Sequence, residues 1–189
     1  MDTLLNLMEK MGIQFNLSDE LPEAVNGFFY HDDSHDIIVM NSEIEDETEF
    51  RMILSHELGH FFTAQICTIS SISTQRIQVD RNEIRAIRWA CDYLIDTEAL
   101  LSCLDASSNH NMLTLAEQFQ VTLETLQLKL YFMSLDAPLW KLSSNCYFVL
   151  SSYPTVYITA PSEDSLFCLE SKDNYLSFAE ALLSPVRFK

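Results

Sequence analysis

Positive charge is scarce in this sequence. Its 189 residues hold 11 Lys and Arg against 28 Asp and Glu, a formal net charge of −17. A phosphate backbone is gripped by Lys and Arg. No direct nucleic-acid binding is therefore expected, and a charged macromolecular partner should be basic. No apolar run approaches the roughly 18 residues that span a bilayer. The start, Met1-Asp2-Thr3-Leu4-Leu5-Asn6, lacks the basic region of a signal peptide. The expectation is a cytoplasmic protein with no membrane partner. Cys67, Cys91, Cys103, Cys146 and Cys168 are odd in number and never form CxxC. That excludes a cysteine-based zinc ribbon and gives no disulfide framework, so reduced, mostly buried thiols are expected. Internal repeats and low-complexity stretches are also missing.

The acid is unevenly spread. Residues 1–50 carry 13 acids and one base, Lys10, a net −12 that leaves −5 for the other 139 residues. A solubilising surface and a surface for a basic partner both account for this.

Apolar residues are plentiful, at 48% with 12 Phe, 7 Tyr and 2 Trp. A chain of this length and composition can bury one real core, with room for a small extension. Leu4, Leu5, Met8 and Met11 recur at helical spacing, so residues 2–12 read as a short helix that Gly12 ends. Two apolar runs, 27–31 and 36–41, flank a polar turn and predict a β-hairpin. Residues 46–66 carry Phe50, Ile53, Leu54, Leu58 and Phe61 at helical spacing, with acids at the N-terminal end. Residues 67–79 read as a loop or short strand and 81–104 as a second long helix. Two shorter helices, broken near Val121-Thr122, fill 114–134. Tyr147–Leu150, Val156–Thr159 and Leu166–Leu169 are strand-like, and Ser177–Leu183 reads as a final helix. The expected fold class is α+β: a helix-rich domain over 1–136, with a small β-sheet or hairpin beside its first long helix, and a small β-rich extension over 137–189.

The chemistry sits in His56-Glu57-Leu58-Gly59-His60, an HExxH motif inside the first long helix. Residues i and i+4 share one helical face, so both imidazoles reach one ion. Glu57, one residue along, can take a proton from a water that the ion has acidified. Gly59 costs about 1 kcal/mol against Ala in a helix, which implies a backbone packed closely against a neighbour.

A catalytic zinc site takes three protein ligands and keeps one position open. Thr63 and Ile66 stand where an HExxHxxGxxH continuation would need Gly and His in this register, so the third ligand comes from elsewhere. Glu83 is the main candidate. It shares a face with Ile87, Ala90 and Leu94, and a lone carboxylate heading an apolar face needs a partner. The competing reading is a capping box, with Asp80 as N-cap and Glu83 at N3. Asp80, His31, His35 and His110 are weaker ligand candidates. Arg81, Arg85 and Arg88 form a stripe expected to face solvent or pair with acids.

The stretch His56–Thr63, followed by Glu83-Ile84-Arg85-Ala86-Ile87-Arg88-Trp89-Ala90 and Leu94-Ile95, resembles the ImmA/IrrE metallopeptidases. Leu115-Ala116-Glu117-Gln118-Phe119-Gln120-Val121-Thr122 is similar to the family's helix-turn-helix-like segment, and the hairpin ahead of the motif also fits. The resemblance covers about residues 1–135. It implies a zincin-like fold, a Zn2+ ion on His56, His60 and Glu83, and Glu57 as general base. It also implies a substrate class, because members carried by phages and integrative elements cleave a helix-turn-helix repressor. The family's Asn in the second motif is Ile87 here, and its terminal Met-Pro is Ile95-Asp96. Residues 114–134 hold Lys129 against Glu117 and Glu124, too little base for a DNA reader. Leu115, Phe119, Leu123, Leu126 and Leu130 are instead expected in the core.

The expected function is thus a zinc-dependent endopeptidase acting on a basic regulatory protein, a helix-turn-helix repressor. The alternative is a non-catalytic acidic anti-repressor with a structural zinc site.

Overall fold

A computed structural model describes residues 2–22, 24–32, 34–63, 72–106 and 111–159. The order is α1 (Asp2–Met11), β1 (Gln14–Ser18), β2 (Gly27–His31), β3 (Asp36–Asn41), α2 (Glu47–Thr63), α3 (Ile72–Leu94), α4 (Thr97–Ala106), α5 (Met112–Phe119), α6 (Leu123–Asp136), β4 (Leu139–Ser143), β5 (Cys146–Ser152) and β6 (Thr155–Thr159). The class is α+β and zincin-like, as expected.

Gly12 ends α1 as its position suggests. It adopts φ 74°, and the Gly12 and Ile13 N–H groups donate to the Glu9 and Met8 carbonyls at 3.1 and 2.9 Å, the Schellman pattern. Leu4 and Met8 then pack with Ile13, Ile38, Met40, Ile53, Leu54 and Leu58 in one hydrophobic cluster. The hairpin is present as β2 and β3, paired antiparallel with Phe29 opposite Ile38. β1 adds to it in parallel, giving the order β1-β3-β2. The sequence reading missed β1 because Gln14–Ser18 offers only Phe15 and Leu17 as apolar residues, and Leu17 is exposed.

α2 starts with Asp46, whose carboxylate accepts the Glu49 N–H at 2.7 Å, while Glu47 and Glu49 complement the helix dipole. Every residue from Met52 to Gly59 is buried. The middle of the helix is therefore enclosed on all sides rather than amphipathic.

Three expectations need correction. The run 67–79, read as loop or strand, is helical from Ile72 onward. Its β-branched Ile, Thr and Val lower helix propensity by only tenths of a kcal/mol each and do not exclude a helix. Asp80 therefore lies inside α3 rather than at its N-cap, and the capping-box reading of Glu83 fails. The helix read as continuous over 81–104 breaks at Ile95-Asp96. There Asp96 starts α4 by accepting the Ala99 N–H at 2.8 Å.

The α5–α6 break falls where expected. Gln120 takes φ 52°, left-handed for a non-glycine, and Thr122 caps α6 by accepting the Thr125 N–H at 3.1 Å. Arg51 of α2 reaches across to the Gln120 carbonyl at 2.8 Å. Leu115, Leu126 and Leu130 are buried and Phe119 packs against them, whereas Leu123 is half-buried outside this cluster. Lys129, 1% exposed, holds Asp92 at 2.7 Å and Thr97 at 2.8 Å. Arg88 grips both oxygens of Asp136 at 2.7 and 2.6 Å, so part of the arginine stripe is salt-bridged, while Arg81 and Arg85 are exposed.

β4, β5 and β6 form a second, antiparallel sheet. Phe148 and Leu150 of β5 join the cluster that also holds Leu100, Leu126 and Leu130. Strand β4 escaped the sequence reading because Lys141 and the serines around it interrupt its apolar pattern. The readings at 166–169 and 177–183 lie outside the described residues.

Candidate metal centre

α2 and α3 make the site together, and Gly59 sets how closely they approach. A Cβ built on Gly59 would stand 2.8 Å from the Ala86 Cα and 2.9 Å from its carbonyl carbon, and nearer still to its carbonyl oxygen. The close neighbour expected from the sequence is thus the α3 backbone. On the far side Phe62 stacks on Trp89, and Trp89 on Tyr93, with centroids 4.8 and 5.1 Å apart.

This approach brings three side chains to one point. The Nε2 atoms of His56 and His60 lie 3.1 Å apart. Glu83 sets one carboxylate oxygen 3.3 Å from His56 Nε2 and the other 3.5 Å from His60 Nε2. All three donors fall within 4.8 Å of one another. Ligand bonds of about 2.0–2.1 Å at tetrahedral angles put donor atoms about 3.3 Å apart. The residues present therefore fit a small divalent ion. His56 and His60 side chains are 11% and 20% exposed, whereas Glu83 is 47% exposed, so the group is reached from one side.

The electrostatics match a donor set. Hydrogen bonds from His56 and then His60 hold the Glu83 carboxyl far below its ordinary value. Burial pulls the His60 pKa down, but its hydrogen bond to Glu83 and the charges of Glu83 and Glu57 outweigh that and raise it. Burial pushes Glu57 up, against the pull of His56, His60 and an N–H donated by Phe29 of β2. Glu57 itself is 7% exposed. It is a carboxylate held at the edge of the donor cluster, inside the protein, with raised proton affinity.

The other candidates stand elsewhere. His31 pairs with Asp36 at 2.7 Å and His35 with Asp32 at 3.4 Å, both exposed on the hairpin. His110 is outside the described residues. The sequence reading missed the Phe29 N–H at Glu57, because a backbone donor leaves no trace in residue identity.

Two histidines one turn apart, a carboxylate from a second helix and a buried glutamate beside them are the equipment of a metal-dependent hydrolase. The chain belongs to the peptidase M78 family: the model of its IrrE N-terminal-like domain matches residues 8–131. It is accordingly a metallopeptidase by family, and the last turn of α1 through most of α6 lie within the match. No curated protein and no solved structure matches the chain. Among the described residues, no helix is long and apolar enough to cross a membrane.

Proposed function

We propose that the protein is a zinc-dependent endopeptidase of the cytoplasm that cleaves a basic regulatory protein, a helix-turn-helix repressor of a phage or mobile element. The observation that carries this reading is Glu57, a buried carboxylate with raised proton affinity beside a three-donor cluster. A metal that served structure alone would have no use for such a base. Zinc held by His56, His60 and Glu83 would supply Lewis-acid polarisation of the scissile carbonyl and a more acidic water. Glu57 takes the proton of the attacking water and returns it to the amine nitrogen as the C–N bond breaks.

Two further features support a protein substrate. β2 is paired on one side only among the described residues, and its Phe29 lies against Glu57. An extended segment can join that edge by strand addition. The sheet also belongs to residues 1–50, the segment with net −12, which favours the approach of a basic protein. Lys129, the one base in 114–134, is buried and paired, which supports a role without nucleic acid.

Metal analysis of purified protein followed by incubation with the product of the neighbouring gene tests the proposal. About one zinc per chain and fragments on a gel are expected, and Glu57→Gln should keep the zinc and yield no fragments. An intact, salt-sensitive complex with no fragments would favour the non-catalytic anti-repressor instead.

A further inference from the structure

A cavity of about 410 Å3 lies at the seam between the helices and the second sheet. Its floor is Leu100, Leu126, Leu130 and Phe148, and its rim includes Met112 and Tyr157. The floor residues are almost fully buried, whereas Tyr157 is 46% exposed, so the hollow opens on one side. The volume falls within the roughly 300–1,000 Å3 of small-molecule sites, which favour junctions between structural units. β5 and β6 lie beyond the region that the peptidase family model matches. The hollow is therefore made jointly by the family domain and the sheet that follows it.

We infer that this cavity is a binding site for a small, neutral, apolar molecule. Water is a poor occupant, since each buried water needs two to four polar partners. Among the described residues, the lining side chains offer only the Tyr157 hydroxyl. A charged ligand would lose its hydration against the four apolar floor residues with nothing in return. The rim carries the residue types suited to admitting an apolar guest: Met112 is unbranched and adaptable, and Tyr157 is a flat ring with a polar tip. The site uses none of the metal-binding or proton-transfer residues.

The test is a titration of the full chain with N-phenyl-1-naphthylamine, a neutral probe that fluoresces in apolar surroundings. Saturable binding with a blue-shifted emission is expected. Val156→Trp, which places a large ring in the wall, should weaken binding by about tenfold or more. Met112→Trp, at the rim, should do the same and covers the case in which the first variant fails to fold. Thermal melts of both variants report folding separately. Absence of binding would overturn the inference and mean that the chain's own residues or water fill the hollow. Non-saturable binding, or binding that neither folded variant weakens, would also overturn it, as adsorption at the surface.

Discussion

Replacing Gly59 with Ala tests the account of the metal centre, because two effects of known sign oppose each other. In an exposed helix the change stabilises by about 0.8–1.0 kcal/mol through backbone entropy alone. Here the new methyl would stand 2.8 Å from the Ala86 Cα, whereas relaxed carbon–carbon contacts are about 3.5–4.0 Å. The obstacle is backbone and cannot rotate away, so α2 and α3 must part by about 1 Å. Overpacking of this kind costs about 1–3 kcal/mol. A rigid backbone obstacle belongs at the upper end of that range, which leaves a net loss of about 2 kcal/mol. For a chain of this size that lowers Tm by about 4–8 °C. The same retreat carries His56 and His60 away from Glu83, and metal–ligand distances tolerate only about ±0.2 Å. Zinc affinity should therefore fall more than stability does. Calorimetric melts and zinc titrations of the two proteins measure both quantities. A variant that melts higher than the parent and binds zinc equally well would show that the helices have room, and the account of the site would be refuted.

Four further outcomes follow from other contacts. Glu57 has a raised pKa from burial, so in metal-free protein the stability present at low pH is lost as pH rises through and above the ordinary glutamate value of 4.5. Glu57→Gln should flatten that loss in melts across pH and raise Tm at neutral pH, while abolishing peptidase activity. Asp92→Ala leaves the Lys129 ammonium with Thr97 as its remaining partner and should cost about 1–3 kcal/mol in denaturant unfolding. Gln120→Gly relieves a left-handed backbone and keeps the carbonyl that Arg51 holds, but deletes the Gln120 Oε1 that accepts from Arg51 at 3.2 Å, so the two effects should nearly cancel, within about 1 kcal/mol in the same assay. Zinc at about 100 times its Kd should stabilise the protein by about 2.7 kcal/mol, which a chelator removes. Glu83→Gln should forfeit most of that gain.

The parts of the fold that the sequence revealed are those written in side-chain periodicity. α2, the hairpin and the Gly12 stop follow from apolar spacing, turn residues and a glycine that must turn left-handed. Glu83 was recognisable as a carboxylate on an otherwise apolar face, and the geometry brings it to the two histidines. The parts that stayed hidden depend on partners distant in sequence. β1 exists because β3 offers it an edge, although its own residues are half polar. The start of α3 at Ile72 runs against local propensity. The break at Ile95-Asp96 was masked by apolar residues on both sides, although Asp96 is a residue type that caps helices. Lys129 shows the limit most clearly, since its burial on Asp92, 37 residues away, leaves no mark in the local pattern.

α2 contributes to both hydrophobic clusters. Met52 belongs to the cluster that includes α4, α5, α6 and β5, while Ile53, Leu54 and Leu58 belong to the cluster of α1 and the first sheet. The helix that carries His56, Glu57 and His60 is thus a party wall between two cores, supported from both sides. A chain still emerging from the ribosome can close the first core from its early residues, but the second needs Phe148 and Leu150. The helices α2 and α3, which bring His56, His60 and Glu83 together, are both complete by Leu94, before that second core closes. Loosening of either core therefore reaches the helix that carries His56, Glu57 and His60.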